Sequence, residues 1–142
     1  LIFLAGLLIG YGLDTLWPTP SMPFDRETGY WIGAVYGGIG VVVAVAALLG
    51  FRGTGTSPEP WHPTTALVVN GIYSRTRNPM YLGMTLVYLG ITASVGGLWM
   101  AVLLLPVLVV MHYGVIAREE RYLEAKFGDA YRDYKASVRR WF

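Results

Sequence analysis

The chain has 142 residues, a mean hydropathy of +0.47 and a formal net charge of +2 at pH 7. Hydrophobic residues make up 54% and charged residues only 14%, whereas ordinary soluble domains carry about 25% charged residues. This composition excludes a conventional soluble domain. The small net charge gives no basis for nucleic-acid binding, and the lack of cysteine excludes disulfides, thiolate metal sites and a cysteine nucleophile.

Long uncharged segments predict about four membrane-spanning helices. Residues 1–16 are apolar apart from Asp14, and residues 30–49 carry no formal charge. Residues 78–117 carry none either and are long enough for two helices joined by a turn at residues 93–97. One span needs about 20 apolar residues to cross a hydrocarbon core of roughly 30 Å. The fold class we predict is therefore an all-α integral membrane bundle.

Glycines are frequent in the first two predicted spans. Small residues let helices approach closely in a membrane, although ordinary membrane-helix composition explains them equally well. The glycines concerned are Gly6, Gly10, Gly12, Gly33, Gly37, Gly38 and Gly40.

The distribution of basic residues predicts the orientation in the membrane. Residues 18–29 hold Asp25 and Glu27 against Arg26, whereas residues 118–142 hold seven Lys and Arg against five Asp and Glu. Since basic segments stay on the cytosolic side, we expect both termini in the cytosol of an inner or plasma membrane protein.

The same pattern divides one membrane domain, residues 1–142, into four parts. Residues 1–50 are two N-terminal spans and residues 51–79 a cytosolic strap. Residues 80–117 form a helical hairpin, and residues 118–142 a cytosolic tail. Because Leu1 lies inside an apolar run with no basic stretch before it, a trimmed start is favoured over a cleaved signal peptide.

A helix start is predicted at the end of the strap. Pro79 suits a first helical turn, where its missing N–H is no loss, and Asn78 suits the N-cap. Arg75 and Arg77 either reach to lipid headgroups or, with the positive helix end, form an anion site.

The pattern of residues 118–142 predicts a pair of amphipathic helices. The first helix ends at Gly128, Asp129 caps the second, and Tyr131 and Tyr134 share one face of the second helix, which suits the membrane surface. Glu119 and Glu120 do not fit that role. His112 lies seven residues before Glu119 on the same predicted helix face, so these residues form a candidate site, polar packing being the alternative.

Two segments together resemble a known family. Residues 71–83, GIYSRTRNPMYLG, and residues 119–138, with Glu-Glu followed by Phe-Gly and spaced tyrosines, are similar to the two signatures of isoprenylcysteine carboxyl methyltransferases and phospholipid methyltransferases. The separation by one helical hairpin is also that of the family. The sequence departs from the eukaryotic isoprenylcysteine enzymes at Thr65 and Asn78, where those enzymes have His, which bears on the substrate more than on the cofactor.

The resemblance implies an S-adenosylmethionine-dependent methyltransferase whose lipid-like substrate enters from the bilayer. It implies catalytic roles for Arg77 and Glu119. The cofactor-binding residues expected from the matching motifs are Tyr73, Asn78, Pro79, Tyr81, Glu120 and Tyr131, and His112 is added by its predicted helix face. An arginine and a helix N-terminus suit the cofactor carboxylate, carboxylates suit its amine or ribose hydroxyls, and tyrosine rings suit its adenine and sulfonium. No metal is required.

Several acceptors and functions stay open at this point. The expected acceptor is isoprenylcysteine-carboxylate-like, taken up as a lipophilic or prenylated molecule at the cytosolic face, and a phospholipid amine is the alternative. A sterol-reductase-like enzyme using NADPH and a membrane scaffold without activity are the rivals from other classes.

Overall fold

A computed structural model of the chain describes residues 1–17, 22–52 and 66–141, and all regular elements among them are helical. The elements in chain order are α1 Ile2–Leu16, α2 Arg26–Gly50, a 3-10 turn Gly71–Ser74, α3 Pro79–Val95, α4 Leu98–Val109, a π-helical segment Val110–Ile116, α5 Ala117–Phe127 and α6 Asp129–Ser137. The prediction of an all-α fold is confirmed. Residues 53–65 of the predicted strap, which include Thr65, lie outside the described residues.

Two helices among the described residues are long and apolar enough to cross a membrane. These are α2, with 25 residues, and the continuous helix Leu98–Phe127, with 30. Only 17% and 28% of their most apolar stretches are buried in the protein, whereas the core helix of a soluble protein is mostly buried. Large apolar side chains such as Leu8, Val42 and Leu105 are exposed, as expected of a membrane protein.

The count of four spans remains a prediction. Helices α1 and α3 are apolar but have 15 and 17 residues, so they reach about 22 Å and about 26 Å at 1.5 Å per residue. Both lengths fall short of a hydrocarbon core of roughly 30 Å.

Helices α2 and α3 run antiparallel with their backbones in contact. A Cβ atom added to Gly90 would lie 2.7 Å from the nitrogen of Gly37, and one added to Gly83 would lie 2.8 Å from the oxygen of Gly40. A side chain at Gly83 or Gly90 would therefore overlap with the backbone of α2. The two helices can lie this close because glycine has no side chain, which is the small-residue packing typical of membrane helices.

The other glycines of the first two helices fall into two groups, those that face a neighbouring helix and those that do not. Gly6 and Gly10 of α1 face Val107 and Met100 of α4, which sets these two helices antiparallel as well. A Cβ added to Gly12, Gly37 or Gly38 would meet none of the described residues within 4 Å, so membrane-helix composition suffices for those three.

Asp14, which interrupts the first apolar segment, caps another helix. Its carboxylate accepts hydrogen bonds from the backbone N–H groups of Trp99 at 3.0 Å and Met100 at 3.3 Å, in the first turn of α4. These N–H groups have no partner within their own helix, and the negative charge also suits the helix N-terminus.

The predicted turn, the helix ends and the N-cap position of Asn78 are confirmed, but the capping assignment of Asp129 is wrong. The α3–α4 turn uses Gly96 at φ +76°, and Gly128 ends α5. Asn78 occupies the N-cap position of α3, yet its side chain forms no cap because it reaches the C-terminal segment instead. Asp129 lies inside α6 and binds Arg132 there, so Gly128 is the N-cap.

Candidate functional site

The two motif segments meet at the end of the bundle where α2 ends and α3 begins. The 3-10 turn lies against the end of α2, where the Tyr73 ring packs edge-on against Phe51 at 5.7 Å. The hydroxyl of Tyr134 in α6 donates to the carbonyl of Tyr73 at 2.7 Å. The short helix α6 therefore docks on the first motif segment, and its aromatic face is directed into the protein.

Glu120 lies at the centre of this junction, only 6% exposed. Arg140 binds both of its oxygens, Nε to Oε1 at 2.9 Å and Nη2 to Oε2 at 2.6 Å. Arg77 Nη1 lies 3.1 Å from Oε1, and Arg140 Nη1 lies 2.7 Å from His112 Nε2. Since a guanidinium only donates, His112 Nε2 accepts and the ring proton is on Nδ1. We call Arg77, His112, Glu120 and Arg140 the Glu120 cluster.

Arg77 is the incompletely paired member of the Glu120 cluster. Its side chain is 9% exposed, its Nε has no hydrogen-bond partner among the described residues, and its Nη1 pairs with Glu120 without a hydrogen bond. A buried donor without an acceptor is costly, and native structures rarely keep one without a reason. The arrangement can accept an additional anionic or carbonyl oxygen.

Glu119 faces a different direction from Glu120. Neighbouring residues of an α-helix point about 100° apart, and Glu119 is exposed while its Oε2 accepts a hydrogen bond from the Tyr81 hydroxyl at 3.0 Å. The carboxylate is therefore oriented by α3 and still reachable. It can accept further donors or take up a proton.

His112 and Glu119 do not come together as the α-helical spacing predicted. The π-helical segment Val110–Ile116 lies between them, and its wider turn shifts the register of the residues that follow. His112 consequently meets Arg140 and, through it, Glu120. The sequence predicted that His112 and Glu119 share one helix face, and this prediction is wrong.

The predicted cofactor tyrosines of this end are packed inside the protein. Tyr131 is 1% exposed and meets Tyr134 edge-on at 6.1 Å. Burial raises the pKa of Tyr134 to about 12 and raises the pKa of Tyr73 and Tyr131 as well, so all three remain neutral phenols. Pro79 is fully buried too. The cofactor roles expected of Tyr73, Tyr131 and Pro79 stay predictions.

Arg140 and Thr76 are site residues that the sequence analysis did not single out. Thr76 Oγ1 donates to the carbonyl of Arg140 at 3.1 Å, and Arg140 contacts Glu120 and His112 as described. The sequence offered one signal, two adjacent arginines in an otherwise mixed tail, but nothing in it indicated which carboxylate they would meet. Arg75, by contrast, is exposed and is not a member of the Glu120 cluster.

Comparison with known proteins agrees with the family resemblance of the two motif segments. A family model described as phospholipid methyltransferase matches residues 28–130, well over half of the chain. An uncharacterized protein of Haemophilus influenzae is 47% identical over 64 residues, which cover 44% of this chain and 98% of that protein. No solved structure matches the chain.

Proposed function

Since this chain belongs to the phospholipid methyltransferase family, we propose that it methylates a lipid-like acceptor with S-adenosylmethionine at the cytosolic membrane face. The observation that carries the cofactor assignment is the buried Arg77 guanidinium beside the buried Glu120, because its Nε and Nη1 have no hydrogen-bond partner among the described residues. Both features lie in the motif segments that identify the family.

The residues present fit the polar groups of S-adenosylmethionine. Arg77 offers buried donors that suit a carboxylate, because hydrogen bonds between charged groups are stronger than neutral ones. Glu119 offers accessible acceptor oxygens for an amine or for ribose hydroxyls, and Tyr81 fixes its direction at 3.0 Å. When bound, the cofactor supplies a methyl group on a positively charged sulfur. The protein's task is to hold donor and acceptor in line.

The position of Glu119 favours an amine over a carboxylate acceptor. An amine gives up a proton when it is methylated, and an exposed, oriented carboxylate can take that proton. A carboxylate acceptor needs no base and would be repelled by Glu119. A phospholipid amine headgroup is therefore the preferred acceptor, and an isoprenylcysteine-like carboxylate is the second candidate.

The test uses purified protein in lipid nanodiscs. S-adenosylhomocysteine should bind with a micromolar-class constant, about −7 to −8 kcal/mol, whereas NADPH should not bind. Incubation with methyl-labelled S-adenosylmethionine should then label phosphatidylethanolamine in preference to a prenylcysteine carboxylate, as read by mass spectrometry.

Matched variants assign the roles. Arg77→Gln should weaken S-adenosylhomocysteine, and Glu119→Gln should lower turnover more than affinity. Folded wild-type protein that binds NADPH and not S-adenosylhomocysteine would support a reductase-like enzyme, and binding of neither would support a scaffold.

A further inference from the structure

The C-terminal segment, residues 138–141, crosses the turn that precedes α3. The backbone N–H of Arg77 donates to the carbonyl of Arg139 at 3.0 Å. The carbonyl of Arg140 accepts from Thr76 Oγ1 and from Asn78 Nδ2, both at 3.1 Å. Three consecutive residues of the first motif segment thus fix the backbone of the C-terminal segment.

This fixed backbone delivers the Arg140 side chain to Glu120. The guanidinium binds both carboxylate oxygens, and the Arg140 side chain is 28% exposed, against 8% for the Glu120 side chain. Oε2 pairs with Arg140 Nη2 at 2.6 Å, whereas Arg77 contacts Oε1, at 3.1 Å and without a hydrogen bond. A planar, two-pronged pairing of this kind fixes orientation as well as distance.

Arg140 therefore competes with Arg77 for the same carboxylate. Without Arg140, Glu120 would have one cationic partner among the described residues and could turn both oxygens to it. Glu120 would then occupy the Nη1 donor of Arg77, which now lacks a hydrogen bond.

We infer that Arg140 is a positioning residue, which holds Glu120 so that Arg77 stays available to the carboxylate of the cofactor. This inference rests on the proposed function. It assigns to the C-terminal segment a part in cofactor affinity although Arg140 itself need not touch the cofactor.

Titration calorimetry with S-adenosylhomocysteine tests the inference on full-length protein. Arg140→Gln should weaken binding about tenfold or more, in line with the loss of one charged hydrogen bond. Arg140→Lys keeps the charge without the two-pronged geometry, so its affinity for S-adenosylhomocysteine should lie between that of Arg140→Gln and that of the wild type. Arg132→Gln, which removes the same charge from an exposed residue of α6, should bind like wild type.

A second background separates positioning from general stability. If Arg140 acts by keeping Arg77 available, adding Arg140→Gln to Arg77→Gln should cause no further loss of affinity, a non-additivity expected only of coupled residues. Full additivity, or wild-type affinity in folded Arg140→Gln, would overturn the inference. Should Arg140→Gln not fold, wild-type affinity in Arg140→Lys overturns it equally. A folded wild-type protein that binds no S-adenosylhomocysteine overturns the proposed function and this inference with it.

Discussion

Replacing Glu120 by Gln perturbs the site at its most connected residue. The carboxylate is 6% exposed and lies between Arg77 and Arg140. Gln has nearly the same volume, so the change mainly removes a negative charge that separates two positive ones. Removal of one partner from a buried ion pair costs about 3–5 kcal/mol. Because Arg140 is partly exposed and Gln keeps an acceptor oxygen, we expect the lower end, about 3 kcal/mol.

Thermal unfolding in detergent measures this effect. For a chain of this size about 1 kcal/mol shifts Tm by roughly 2–4 °C, so Glu120→Gln should lower Tm by about 6–12 °C. Glu119→Gln is the matched control, since Glu119 is an exposed residue whose carboxylate accepts a hydrogen bond from the neutral hydroxyl of Tyr81, and the change should cost about 1 kcal/mol or less. Equal shifts in the two variants would refute the reasoning, because the burial and pairing of Glu120 would then have no energetic consequence.

Three further predictions concern the bundle. Accessibility tags at Phe142 and within residues 53–56 should be cytosolic and a tag at Arg26 should lie outside; a tag at Arg26 on the same side as Phe142 would contradict the four-span topology. Asp14→Ala should destabilise the protein by about 1–2 kcal/mol because it leaves two N–H groups of α4 uncapped, whereas Asp14→Asn should cost less in the same denaturation assay. Gly90→Ala should destabilise by about 1–3 kcal/mol through overlap with the α2 backbone, while Gly38→Ala, whose added Cβ meets none of the described residues, should be neutral or stabilising; the opposite order would show that the α2–α3 contact is not tight.

Features governed by short stretches of chain could be predicted from the sequence. Pro79 marks the start of α3, residues 93–97 contain the turn between α3 and α4, and Gly128 ends α5. Each depends on the backbone preferences of one or two residues, which act wherever those residues occur. The paired motif segments likewise identified the family because their residue types and spacing are visible without a fold.

Partners that are distant in the chain were decided by the tertiary structure. Asn78 fits an N-cap by its position, but the carbonyl of Arg140, 62 residues away, takes its side chain. Asp14 looked like an interruption until α4, 85 residues further on, supplied the N–H groups that it caps. Local pattern cannot rank such partners, because many polar groups could satisfy the same donor or acceptor.

The sequence by itself determined the helical class, the apolar segments and the family, since these follow from composition, periodicity and motif spacing. The tertiary structure alone decided which charges meet. A π-helical turn redirected His112 from Glu119 to Arg140, and the docking of the C-terminal segment brought Arg140 to Glu120. The physical reason is that a buried charge requires a partner of opposite sign, and only the packed chain brings one within reach.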